Sequence, residues 1–159
     1  MRTPKENNGR KSANRYRKQW RFPPLVEIKL AEYLHSPSLH VCSGQSPLGD
    51  VKVDLEVQLG PDVRGDMLHL PFKDESFQTV LIDPPWHFAN HLRPKLLWEL
   101  RRVLRVGGQL ILDCPWIPKI PRMKLDNVLV RIPPQIWTPV SLIGFYTRDQ
   151  DILRVPINT

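Results

Sequence analysis

The sequence predicts an α/β protein: a twisted, mostly parallel sheet that finishes in an antiparallel hairpin. Three observations predict it. The short, almost wholly apolar runs "LHVCSG", "QTVLID" and "QLILDCPW" have the composition of strands buried on both faces. Between the last two lies "PKLLWELRRVLR", whose Leu96, Leu97, Leu100, Val103 and Leu104 share one helical face. After the last run come "NVLVRI" and "VSLIGFYTR", separated only by "PPQIWTP", which has no helical pattern.

The elements follow in order. Residues 1–22 form a basic arm rather than a folded element. They hold Arg2, Lys5, Arg10, Lys11, Arg15, Arg17, Lys18 and Arg21 against the single acid Glu6, so the arm carries the whole net charge of +7. With few apolar residues before Tyr16, the arm cannot bury enough surface to fold alone. It reads as a solubilising tail or, equally, as a segment that neutralises phosphates, with Tyr16 and Trp20 to stack on bases. One domain, 23–159, follows. Pro23-Pro24 opens a short amphipathic helix over about 24–34, which Ser36-Pro37-Ser38 breaks. "LHVCSG" is the first strand, ending in small residues, and "VKVDLEV" is the second, reached through only "QSPLGD". A crossover helix needs about a dozen residues or more. The spacing therefore predicts either a bare loop or an unusual pairing of these two strands. "LPFKDESF" is a loop in which Asp74 and Glu75 are solvated turn residues. "QTVLID" is the third strand, and Gly107-Gly108 is expected to cap the helix that follows it. Trp98 and Trp137 read as packing residues.

Composition excludes several classes. Hydrophobic content of 41% and charged content of 25% are those of a soluble globular protein, and the 17 prolines argue for fixed loops over a helical bundle. No apolar run approaches the roughly 20 residues of a membrane span. No hydrophobic stretch follows the basic N-terminus, so a signal peptide is not expected and the chain is expected to be cytoplasmic. Cys42 and Cys114 form no close pair; they read as small buried thiols, and no metal site is expected.

Polar residues gather where the strands end: Ser43-Gly44, Asp54, Asp66, Asp83-Pro84-Pro85-Trp86 and Asp113-Cys114-Pro115-Trp116. In open parallel sheets ligands bind beyond the carboxyl ends of the strands. Acids at four strand ends form a cofactor pocket more readily than a structural motif.

Taken together, "LHVCSGQSPLGDVKVDLE", "RGDMLHLPFKDESFQTVLIDPPW" and "LWELRRVLRVGGQLIL" resemble the class I S-adenosylmethionine-dependent methyltransferases over residues 38–150. The resemblance implies a Rossmann-like fold with S-adenosylmethionine as cofactor; the short spacing over 45–50 departs from it, giving a minimal version lacking the helix after the first strand. Cys42, Ser43 and Gly44 would line the cofactor's methionine part, Gly44 allowing close backbone approach. Asp54 would accept the ribose hydroxyls, Asp66 the adenine amino group, and Met67 would pack on the adenine ring. Ser46 and Gly49-Asp50 are further lining candidates.

The tetrapeptide Asp83-Pro84-Pro85-Trp86 resembles that of enzymes methylating exocyclic amino groups of nucleic-acid bases. Adenine N6 in DNA is the first expectation; RNA, cytosine N4 and guanine N2 are alternatives. Asp83 would accept one N–H and the Pro84 carbonyl the other, Pro85 would stiffen the turn, and Trp86 would stack on the extruded base. Asp83 also borders the cofactor. His87, His91 and Arg93 follow as substrate contacts, and Trp116 as a pocket wall. Nucleic acid is the expected partner. A homodimer or partner subunit is a further expectation for target recognition, since the chain has no room for a separate recognition domain. A nucleic-acid-binding module that keeps the fold without catalysis is the reading from a different class.

Overall fold

The computed structural model describes residues 21–85, 90–132 and 140–150. Its strands are β1 (Ser38–Val41), β2 (Val51–Asp54), β3 (Val63–Arg64), β4 (Phe77–Ile82), β5 (Leu104–Cys114), β6 (Met123–Arg131) and β7 (Ser141–Arg148). They form one sheet in the order β3-β2-β1-β4-β5-β7-β6. All pairs from β3 to β5 are parallel, while β7 runs antiparallel to both β5 and β6. The predicted alternation and C-terminal hairpin are thus both present. The two-residue edge strand β3 is an addition that its sequence, "VR", was too short to announce.

Two α-helices occur among the described residues, one on each face. Helix α1 (Pro24–Ala31) starts where the double proline places it, the Pro23 carbonyl accepting the Val26 and Glu27 N–H groups. It is shorter than the predicted 24–34, because Glu32 and Tyr33 tighten into single-turn bonds to Lys29 and Leu30. Helix α2 (Arg93–Val103) buries Leu96, Leu100 and Val103 of the predicted stripe; Leu97 is half-buried, and Leu104 is buried as the first residue of β5.

Strand alternation sorts the core into two layers. Val80 and Ile82 of β4 and Leu110 and Leu112 of β5 meet α2, with Leu70, Phe77 and Tyr146. Leu81 and Ile111 point the other way and meet Phe22, Leu30 of α1, Ile143, Phe145 and Leu48.

Leu48 explains how the short connection works. Residues 42–50 join β1 to β2 as a bare loop, yet the strands pair in parallel, Leu39 to Val51 through Val41 to Val53. The loop is pinned at both ends: Ser43 N–H donates to the Val53 carbonyl at 3.1 Å, and Asp50 Oδ2 accepts from Ser38 N and Oγ at 2.8 and 2.9 Å. Leu48 and α1 cover the face that a crossover helix would otherwise cover.

The expectation that Gly107-Gly108 caps α2 is overturned. The helix passes directly into β5 at Leu104, whose backbone is already extended, and both glycines lie inside that strand. Gly107 has φ +75, and a Cβ at Gly108 would stand 2.8 Å from the Gln78 carbonyl oxygen. The pair allows a kink and a close approach to β4, where the register shifts between Phe77 and Thr79. Trp98 is also not a packing residue; it is 58% exposed on α2. Trp137 lies outside the described residues.

At the amino ends of the strands, two arginines tie the loops down. Arg102 pairs with Glu99 and Asp74 and donates to the Phe72 and Leu70 carbonyls; Arg148 pairs with Glu75 and bonds the Arg101 and Leu104 carbonyls. Asp74 and Glu75 are exposed turn residues as expected, each with an arginine partner brought to it only by the fold. Among the described residues no helix is long and apolar enough to cross a membrane.

His40 gives a stability prediction. It is buried, its ring stacked on Phe22, and Nδ1–H donates to the Leu48 carbonyl at 3.3 Å. Burial, with Lys52 adding to it and Leu48 opposing, lowers its pKa from 6.5 to about 4. The unfolded chain therefore takes up this proton first. Stability from the neutral ring is complete above pH 6.5 and declines as pH falls toward 4, by up to about 3 kcal/mol. Chemical denaturation across that window should show the decline in the wild type and a shallower one in His40→Leu; parallel declines would remove His40 from the explanation.

Candidate active site

The carboxyl ends of β1, β2 and β4 converge on Cys42, the residue that follows β1. Cys42 and Gly44 both have φ 54, a left-handed pair that turns the chain back toward β2. Gly44 N–H donates to Asp54 Oδ2 at 2.9 Å, and Glu56 N–H to Asp54 Oδ1 at 3.0 Å. Asp54, the last residue of β2, thereby holds the turn while keeping lone pairs for a ligand. Asp66 follows β3; its Oδ1 accepts from Leu68 N–H at 2.8 Å. This fixes Met67, whose sulfur lies 3.6 Å from Cys42 Sγ. Burial raises the Cys42 thiol far above its ordinary range, and Asp54, Asp83 and Asp66 each add to the rise. Three acids surround one thiol, and the thiol stays neutral.

Asp83 leaves β4 directly after Ile82, which pairs with Leu112 of β5. The next residues of the two strands, Asp83 and Asp113, are therefore neighbours at about the 4.8 Å strand spacing. Burial raises Asp83 to about 7; Asp113 adds to the rise and Arg131 opposes it. Asp113 is 1% exposed and is held by Arg131 of β6, Nη2 to Oδ2 at 3.0 Å. Its own pKa is raised by burial, against the pull of Arg131 and Ser141. Pro84 is buried and Pro85 half-buried. Trp86 and His87 lie outside the described residues, His91 is exposed, and Arg93 lies at the start of α2 with its guanidinium 4.1 Å over the Trp116 ring. That stack joins the loop after β4 to the loop after β5.

The structure thus brings Cys42, Ser43, Gly44, Asp54, Asp66, Met67 and Asp83 to one end of the sheet. Sequence reasoning missed Arg131. Its signal was an arginine within the mostly apolar "NVLVRI", a charge where a sheet strand has no need of one.

Residues 36–112 match the family described as "Methyltransferase domain". The N-methyltransferase NodS from Bradyrhizobium japonicum superposes with a TM-score of 0.61 at 10% identity, over 90% of this chain and 99% of that one. The 1,6-didemethyltoxoflavin-N1-methyltransferase of Burkholderia thailandensis, whose structure holds S-adenosylhomocysteine, superposes at 0.59 with 13% identity, over 80% and 78%. The fold is that of the class I S-adenosylmethionine-dependent methyltransferases. Demethylmenaquinone methyltransferase from Thermobifida fusca is 41% identical to this chain over 68 residues, 42% of this chain's length. The chain spans only 27% of that relative's length.

S-adenosylmethionine is the cofactor of this methyltransferase fold, and the residues present fit it. The side-chain oxygen of Ser43 is buried without a hydrogen-bond partner among the described residues, a donor in the very turn that follows β1. Asp54, Asp66 and Asp83 gather about Cys42 at this end of the sheet, which suits a cation. Asp54 is half-buried with acceptor capacity left, and Met67 offers an apolar face beside Asp66. At this end of the sheet, Ser43 and Gly44 would hold the methionine part, Asp54 the ribose, and Asp66 and Met67 the adenine.

Proposed function

We propose that the chain methylates an amino group on a planar ring, with the exocyclic amine of a nucleic-acid base, adenine N6 in DNA first, as the acceptor. The observation that carries this reading is Asp83: a carboxylate at the end of the central strand, beside the cofactor turn, running into Pro84. An exocyclic amine is a poor nucleophile because its lone pair is delocalised into the ring. Asp83 accepting one N–H and the Pro84 carbonyl the other favours a pyramidal nitrogen with its lone pair free. Alignment and charge complementarity then carry the step. When bound, S-adenosylmethionine supplies an electrophilic methyl group on a cationic sulfur. The basic arm adds sequence-independent phosphate contacts, and Trp86 adds a stacking surface. Target choice falls to the arm, the segments 87–95 and 116–136, or a second subunit.

A second reading has its own support. The Thermobifida relative is named for demethylmenaquinone, a quinone rather than a nucleic acid, and the Burkholderia structure holds 1,6-didemethyltoxoflavin. Asp83, protonating near neutrality, suits an acceptor O–H that must give up its proton.

The test is transfer of labelled methyl from S-adenosylmethionine to DNA, RNA and a panel of quinols and phenols. Mass analysis of digested nucleosides is expected to place the label on N6-methyladenine. Label confined to the small molecules would overturn this reading in favour of the second. Cofactor binding without any transfer would favour the non-catalytic module.

A further inference from the structure

Two carboxylates emerge side by side from β4 and β5, and one guanidinium reaches them from β6. β6 is the edge strand, and β7 lies between it and β5. Arg131 bridges that gap: Nη2 meets Asp113 Oδ2 at 3.0 Å, and Nε donates to Ser141 Oγ at 2.7 Å on β7. Its guanidinium also lies 6.0 Å over the Phe22 ring, so it is held from three sides. We propose that Arg131 is a positioning residue: by pairing with Asp113 it keeps the neighbouring Asp83 able to meet the methyl acceptor as a carboxylate. This rests on Asp83 being the group that meets that acceptor.

The argument is electrostatic. Like charges at one strand spacing cannot both ionise freely in a buried site, so one of the pair binds its proton more tightly. A cation fixed on Asp113 neutralises that carboxylate and removes most of its repulsion on Asp83. The other groups facing Asp83 do not do this. Cys42, on the turn after β1, and Cys114, on β5, are thiols that their surroundings keep neutral, Cys114 being pushed up to about 11 by burial. Arg131 acts on Asp83 both by neutralising Asp113 and by its own nearby charge, and carries no role in bond making.

The carboxyl infrared band of Asp83, isolated by subtracting the spectrum of Asp83→Asn, is titrated in the full chain without ligand. Arg131→Gln is expected to move the midpoint up by about one pH unit or more, a tenfold rise in proton affinity. Arg131→Lys should restore most of the wild-type midpoint, and Asp113→Asn should move it down. Ser141→Ala, which removes only the hydroxyl bonded to Arg131 Nε, should shift it up by less and keeps the test available if Arg131→Gln fails to fold. A wild-type midpoint in Arg131→Gln, or in Ser141→Ala where Arg131→Gln does not fold, overturns the proposal. The readout needs no cofactor. A chain that binds no S-adenosylmethionine would sink the functional reading while leaving this titration interpretable.

Discussion

Asp83→Ala is expected to lower methyl transfer by about 10²–10⁴-fold, the range for a group that handles the acceptor's proton or hydrogen bond. The effect should fall mainly on kcat, because Asp83 meets the acceptor. In the wild type, activity should rise as pH passes through about 7, the value to which burial and Asp113 lift this carboxyl. The sign follows from the role: the protonated acid cannot accept an N–H, so activity is lost as pH falls. Asp83→Asn separates the two acceptor readings. A residue that only accepts a hydrogen bond retains much of its function as an amide and loses its pH dependence near 7. One that removes a proton loses nearly all function. Full activity in Asp83→Ala would mean that the β4 strand end is not the acceptor site.

Asp54→Ala should weaken cofactor binding by about 10²–10⁴-fold. Two charge-assisted hydrogen bonds to ribose hydroxyls contribute roughly 1.5–3 kcal/mol each. The same substitution also frees Gly44 N–H and Glu56 N–H, which Asp54 now holds. The turn after β1 should therefore loosen even without ligand. Calorimetric titration with S-adenosylhomocysteine reads the affinity, and amide exchange at Gly44 reads the turn. Unchanged affinity would show that the ribose is held elsewhere.

Much of this was legible because periodicity reports burial. Continuous apolar runs gave β1, β4 and β5, and the Leu96/Leu100/Val103 stripe gave α2. The acids were legible because a carboxylate at the end of a buried strand needs a reason. Three things were not. β3 is two residues long and carries no pattern. Gly107-Gly108 looks the same whether it caps a helix or kinks a strand; the crowding against the Gln78 carbonyl decides, and that contact is tertiary. Arg131 lies far from Asp113 in sequence, and only the placing of β7 between β5 and β6 brings the pair together. The missing crossover helix was legible as an absence. What replaces it, Leu48 and α1 on the same face, required the packing.

The central claim is that the turn after β1, with Asp54 and Asp66, still forms a working cofactor site despite the bare 42–50 loop. Calorimetric titration of the full chain with S-adenosylmethionine tests it most directly. Saturable one-to-one binding, tighter than about 1 mM and weakened in Asp54→Ala, is the predicted result. No binding at millimolar cofactor, with the chain folded, would contradict it.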